Sequence, residues 1–218
     1  IDLIDKDNAD IIIAKCSRAV VDLNRSRRAI DISMFEKEFY NGSIEESKMI
    51  QYGLGVLPKT IDGQLIFKKK LSLSYANFML ETYYDPFHIF LSKKIKQLTN
   101  IFGYCYHIDI HTMPSKALIN FKNEPDIVLG NNFGNSCSFE LVHYFKNNFE
   151  NHGLTAELNK PYPPGFITRS YGQPSLGCHS LQIEINRKLY MNEKYFCLND
   201  LNPLQKIFGN IFNNFELI

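Results

Sequence analysis

The chain has 218 residues, 44% hydrophobic and 22% charged, enough for a sizeable core. Its net charge of +1 leaves no overall field to gather nucleic acid or anionic lipid, and the short Lys68-Lys69-Lys70 run reads as a solvated strand end. No apolar run approaches the roughly 18 residues of a membrane helix. The five cysteines (Cys16, Cys105, Cys137, Cys178, Cys197) are an odd number without a CxxC, the usage of a reduced, cytoplasmic protein.

In chain order, ADIIIAKC (9–16) reads as a strand. SRAVVDLN (17–24) reads as a second, with Val21 and Leu23 on one face and Asp22 and Asn24 on the other. Between 41 and 66, NGS, YGLG, LPK and DGQ are turn signals around short strands, and IDGQL is a hairpin turn. From Ser72 to Thr99 apolar residues three and four apart predict helix, with Pro86 breaking or starting one. FGYCYHIDIHTMPSK (102–116) is a strand ending in a proline turn, and EPDIVLGN (124–131) is a shorter strand. SFELVHYFKNNFENHG (138–153) is an amphipathic helix, capped by Ser138 with Gly153 past its end. The turn-rich loop PYPPGFITRSYGQPSLG then leads into a strand over 180–187. Strands alternating with helices predict an α/β fold with a largely parallel or mixed sheet, as one domain over 1–218 without repeats or linkers.

In the stretch LQIEINRKLY (181–190), Leu181, Ile183 and Ile185 alternate with Gln182, Glu184 and Asn186. One face of that strand is apolar; the other carries an amide, an acid and an amide, and either meets water or floors a site. In HIDIH, His107, Asp109 and His111 share a face. The two histidines stand roughly 13 Å apart along a strand, while ligand atoms sit about 2.0–2.1 Å from a zinc. At most one therefore binds a given ion. His111 lies at the carboxyl end of its strand, where open α/β sheets bind ligands. Asp109 can orient a neighbouring group, and a plain exposed polar face is the other reading. Asn24 and Arg25 sit where a predicted strand ends. Such a pair can hold a carboxylate, or the arginine can form a surface ion pair. Arg169 and Tyr171 fall in the loop 161–173, placed either for function or for the shape of the loop. Cys178 and His179, adjacent on a strand, point to opposite faces and make a poor nucleophile–base pair. No HxxE, HExxH or CxxC occurs, so no complete zinc site is written in the chain.

Five stretches together resemble the N-formylglutamate amidohydrolase (deformylase) family. They are SRAVVDLNRSR (17–27), YYDPFH (83–88), IDIHTMPS (108–115), PDIVLGNNFGNSC (125–137) and PYPPGFITRSYGQPSLGCHSLQIEINRKLYMNE (161–193). They keep the family's order over nearly all of residues 17–193. The resemblance implies a three-layer α/β/α sandwich with a mixed, mostly parallel sheet, as in zinc carboxypeptidases and aspartoacylase. It implies zinc-dependent hydrolysis of an N-acyl amino acid. N-formyl-L-glutamate is the best match, cleaved to formate and L-glutamate late in one route of histidine degradation.

The same resemblance gives roles. His111, in Asp-x-His-Ser/Thr-Met-Pro, resembles the last zinc ligand, and Glu184, in Gln-x-Glu, the catalytic carboxylate. Asn24 and Arg25, in Asp-x-Asn-Arg, resemble the pair that grips a substrate carboxylate. Arg169 and Tyr171, in Thr-Arg-x-Tyr-Gly, resemble substrate contacts. One Zn2+ ion is expected, with a small-molecule partner and neither nucleic acid nor membrane. The family's pattern also opens with a strand ending in Pro-His-Ser-Gly, whose histidine resembles another ligand. Nothing of that kind precedes residue 17, so further ligands are expected upstream of residue 1. The family's Tyr-x-Gly-Gly is here Tyr162-Pro163-Pro164-Gly165, a stiffer turn expected to alter which side chain fits. Two other readings share these residues: a carboxypeptidase-like or peptidoglycan-fragment amidase, and a metal-free binding protein for acidic N-acyl amino acids.

Overall fold

A computed structural model describes residues 9–36, 45, 48–119, 121 and 124–215, and the chain divides into two units, 12–97 and 1–11 with 98–218. The 12–97 unit holds α1 (Lys48–Gln51), β1 (Thr60–Ile61), β2 (Gln64–Leu65), α2 (Leu73–Met79) and the start of α3 (Asp85–Phe102). Neither predicted N-terminal strand forms. Residues 9–15 have no regular structure, and Ile13 is 60% exposed. Residues 17–24 are largely turns, with the Val20 and Val21 N–H groups returning to Ser17 O. Asp22 Oδ1 accepts the Asn24 N–H at 2.9 Å, a side-chain substitute for a ladder bond. Val21, Asp22, Leu23 and Asn24 are all buried, so the apolar–polar alternation does not mark an inner and an outer face.

The IDGQL hairpin forms as read, Asp62 and Gly63 both taking the positive φ of a tight turn. α3 starts at Asp85 with Pro86 in its first turn, where a proline fits, while the helical path enters it without a break from α2. Ser72 Oγ caps α2 on the Tyr75 N–H, and a π turn over Leu80–Tyr84 passes the chain into α3. The wider turn changes the hydrogen-bond register just ahead of the residue that has no N–H to give.

The second unit is built on a four-stranded sheet of β3 (Cys105–Met113), β4 (Ile127–Gly130), β5 (Ala156–Leu158) and β6 (Cys178–Asn186), in the order β3-β6-β4-β5. β3 runs parallel to β6 and β4 to β5, while β4 and β6 are antiparallel. The sheet is thus mixed and mostly parallel, within an α/β fold. α4 (Phe139–Asn151) has the expected ends: Ser138 Oγ accepts the Leu141 N–H, and Gly153 takes φ +79°. Its Leu141, Val142, Phe145 and Phe149 pack with Ile127, Leu129, Leu181, Ile183 and Ile185 of the sheet. Leu204, Phe208 and Ile211 of α6 (Asn202–Asn213) complete this core. Residues Phe166–Tyr171 form a short helix, α5, inside the expected loop. The hairpin of β7 (Met191–Asn192) and β8 (Cys197–Leu198) precedes α6.

Candidate active site

β3 and β6 lie in parallel register, so the alternation of each strand is repeated across the pair. One face carries Cys105 beside Cys178, His107 beside Ser180, Asp109 beside Gln182, His111 beside Glu184, and Met113 beside Asn186. The opposite face of β6 is given to the core through Leu181, Ile183 and Ile185. The polar residues of HIDIH and QIEIN, far apart in the chain, thus become one row. His111 and Glu184 stand next to each other at the carboxyl ends of two parallel strands.

Each member of the row is held by a specific bond. His107 Nδ1 pairs with Ser180 Oγ at 2.8 Å, and burial pushes the imidazole pKa down, keeping it neutral. His111 Nε2 meets Asp109 Oδ1 at 2.9 Å. Gln182 Nε2 donates to Glu184 Oε1 at 2.9 Å, while Gln182 Oε1 accepts the Gly165 N–H at 2.7 Å. The second bond fixes which end of the amide faces the acid, and it ties the acid to the first residue before α5. Asn186 is spent differently. It accepts from Ser115 Oγ and the Lys188 N–H, and donates to Pro125 O. With Glu193 accepting the Ser115 N–H, it fixes the turn that follows His111.

The PYPPG segment closes over this face. A Cβ on Gly130 would stand 3.1 Å from Pro164 Cβ and 3.2 Å from Gln182 Cβ, so Gly130 is where strand and loop approach. Tyr162 packs on Met113, Leu118 and Val128. Burial raises its phenol pKa, and the Glu184 charge adds to the rise. Tyr162 is a residue of the site that spacing did not point out; its only signal was its place in the long family-like stretch. At the far end of the row Cys105 and Cys178 are free, buried thiols. Burial pushes Cys178 up to about 11, which agrees with its rejection as a nucleophile.

Arg169 and Tyr171 lie on α5. Arg169 is exposed, its Nε donating to Gly165 O, and burial raises the half-buried Tyr171 phenol. Two positions apart on a helix, they do not share a face. Asn24 and Arg25 belong to the 12–97 unit. Asn24 is buried; Arg25 donates from Nε to Leu54 O at 3.0 Å and from Nη1 to Asn24 O at 3.2 Å. Asp22 lies 3.7 Å from Arg25 Nε and accepts Arg18 Nε and Nη2 at 3.2 and 2.8 Å.

The donor chemistry near His111 suits zinc in part. A carboxylate on one imidazole nitrogen is the usual support of a metal-bound histidine. Asp109 Oδ2, next to it, is buried without a hydrogen-bond partner among the described residues. A catalytic zinc takes three protein ligands, however, and no cluster of three His, Cys, Asp or Glu groups able to hold a metal occurs among the described residues. They supply one corner of such a site, not the whole.

Fold and row together define an α/β protein with an acid and an imidazole side by side where two parallel strands end. The profile of the N-formylglutamate amidohydrolase family matches residues 2–191. The chain is 30% identical over 190 residues to an N-formylglutamate deformylase of Pseudomonas putida, covering 85% of this chain and 65% of that protein. With the N-formylglutamate deformylase of Pseudomonas aeruginosa the identity is 29%, over 85% and 66% of the two chains. The chain thus spans just under two thirds of the length of these relatives. The crystal structure of an N-formylglutamate amidohydrolase from Ralstonia eutropha superposes with a TM-score of 0.85 at 27% identity, over 89% of this chain and 72% of that one. A gene product of Agrobacterium tumefaciens shares the fold alone, with a TM-score of 0.57 at 19% identity over 90% and 68% of the chains. The chain belongs to the N-formylglutamate amidohydrolase family.

Proposed function

We propose that the protein hydrolyses the amide bond of an N-acyl amino acid, with N-formyl-L-glutamate the best-matched substrate and formate and L-glutamate the products. The observation that carries this reading is the pairing of His111 with Glu184 across β3 and β6. Family membership supports it, as do two relatives that bear the name N-formylglutamate deformylase. Glu184 takes a proton from the attacking water and returns one to the leaving amine. Gln182 keeps that carboxylate in one orientation. Asn24 and Arg25, with Arg169, hold the substrate's carboxylates, and Tyr171 is a further contact. Such grips fix the scissile amide, the positioning part of the rate.

His111 is one zinc ligand in this reading, with Asp109 orienting its ring, and the remaining donors come from outside the described residues. When bound, zinc supplies a water of lowered pKa and a polarised acyl oxygen. Five free cysteines fit a reducing cytoplasm, and no described helix is long and apolar enough to cross a membrane.

Glutamate release from N-formyl-L-glutamate, with zinc supplied, tests the proposal. The protein is made with whatever its reading frame encodes on either side of residues 1–218. Turnover is expected, and Glu184→Gln should lower kcat by about 10²–10⁴-fold, the usual worth of a general base. Absence of turnover with formyl-, acetyl- and peptidyl-glutamate, while these ligands still bind, would make the protein a binder on the family's scaffold.

A further inference from the structure

The motif YYDPFH has no part in the chemistry above, yet it grips the turn that carries Asn24 and Arg25. Tyr84 OH donates to Arg25 O at 2.8 Å. His88 Nε2 meets Leu23 O at 2.9 Å. A carbonyl only accepts, so Nε2 carries the proton, and burial lowers the ring's pKa and keeps it neutral. The carbonyls on both sides of Asn24 are therefore taken by one helix. Asp85, between the two rings in sequence, accepts Arg27 Nε at 2.7 Å and Nη2 at 3.0 Å, a bidentate pair just past the turn. Tyr84 and His88 are four residues apart across the junction of the π turn and α3, and their ring centroids lie 4.1 Å apart, so each braces the other. Tyr84 is 4% exposed. The π turn ends on Tyr84 itself, and such turns are frequent at functional sites.

We propose that Tyr84, Asp85 and His88 are positioning residues, a clamp that holds the Leu23–Arg27 segment so that Asn24 and Arg25 present to a substrate carboxylate in one geometry. The proposal rests on the reading of Asn24 and Arg25 as a carboxylate grip. A guanidinium recognises a carboxylate through two parallel bonds in a plane, so a tilt of its backbone loses the second bond. Leu54 O and Asp22 steady the Arg25 head group, and the clamp steadies the backbone beneath it.

The test compares the parent protein with Tyr84→Phe, His88→Leu and His88→Gln by titration with L-glutamate, by kinetics with N-formyl-L-glutamate, and by NMR exchange of the Arg25 Nε–H. Tyr84→Phe and His88→Leu should each weaken L-glutamate binding about three- to tenfold, the worth of one hydrogen bond. KM should rise by a similar factor while kcat stays within about twofold, the mark of lost ground-state grip. Exchange of the Arg25 Nε–H should quicken in both. His88→Gln, whose amide still donates to Leu23 O, should restore affinity and slow exchange, which a purely structural loss would not do. Folded Tyr84→Phe and His88→Leu with unchanged affinity and exchange would overturn the clamp; if His88→Leu does not fold, Tyr84→Phe decides. If the parent binds no L-glutamate, the carboxylate reading falls. Exchange then judges the clamp alone: quickened exchange keeps it, unchanged exchange removes it.

Discussion

Glu184 and Gln182 show how much a two-residue period conveys at the residue scale, and where it stops. Alternation placed Gln182, Glu184 and Asn186 on one face of a strand, and they are there, all three buried. It did not distinguish their work. Gln182 bonds the acid, and Asn186 bonds the turns around Ser115 and Pro125. Gln182→Glu separates the two duties of the amide. The new carboxylate still accepts the Gly165 N–H but no longer donates to Glu184, and it sets like charge beside it. The expected outcome is a kcat at least about tenfold lower, the equivalent of about 1.4 kcal/mol of barrier. Steady-state kinetics beside a thermal melt checks this; an unchanged kcat would remove Gln182 from the positioning of Glu184.

At the scale of elements, helix ends and the hairpin were legible because their signals are local. Ser138 bonds an N–H three residues on, and Asp62-Gly63 needs only its own φ angles. The two expected N-terminal strands fail to form for a matching reason. Alternation reports a sheet face only where a neighbouring strand supplies a ladder, and Asp22 bonds its own backbone instead. Helix α5 was hidden by the prolines and glycines around it. Helix α6 sets Leu204, Phe208 and Ile211 at helical spacing. Phe208 is fully buried in the core that α6 shares with α4 and the sheet, within ring contact of Phe149 and Phe212. Phe208→Ala should cost about 3–5 kcal/mol by chemical denaturation, the usual penalty for a large core cavity. A loss below about 1 kcal/mol would mean that α6 is marginal to the core.

For the molecule as a whole, acid is the condition that the electrostatics single out, and each unit has its own sensor. Burial works to raise the Asp31 carboxyl, but Ser33 and Lys59 outweigh it and hold the pKa below the ordinary value. In the other unit burial is likewise outweighed for Asp126, by the Thr155 N–H and hydroxyl and by Lys188, at 2.9–3.1 Å. A depressed carboxylate pKa contributes stability above the unfolded value of about 3.9 and loses it as pH falls through the lower folded value. His88 acts earlier. Its pKa is depressed by burial, so the unfolded chain takes up a proton first as pH falls below about 6.5, and the fold weakens from there. Denaturant midpoints should therefore fall in two stages, one below about pH 6.5 and one below about pH 4. Asp126→Asn should flatten the second stage for the 98–218 unit and leave the first. A midpoint flat between pH 7 and pH 3 would overturn these assignments.

Whatever depends on neighbours a few residues away is written in the chain: the faces of β3 and β6, the caps of α4, the tight hairpin and the order of the motifs. Which strand lies beside which is settled in the folded chain. The register that sets His111 against Glu184 joins segments from distant parts of the chain, and a shift of one residue would turn every polar group of the row into the core. The same holds for Gly165 on Gln182 and for Tyr84 and His88 on the Asn24 turn. Local preference cannot write these pairings, because their free energy comes from burying both partners at once.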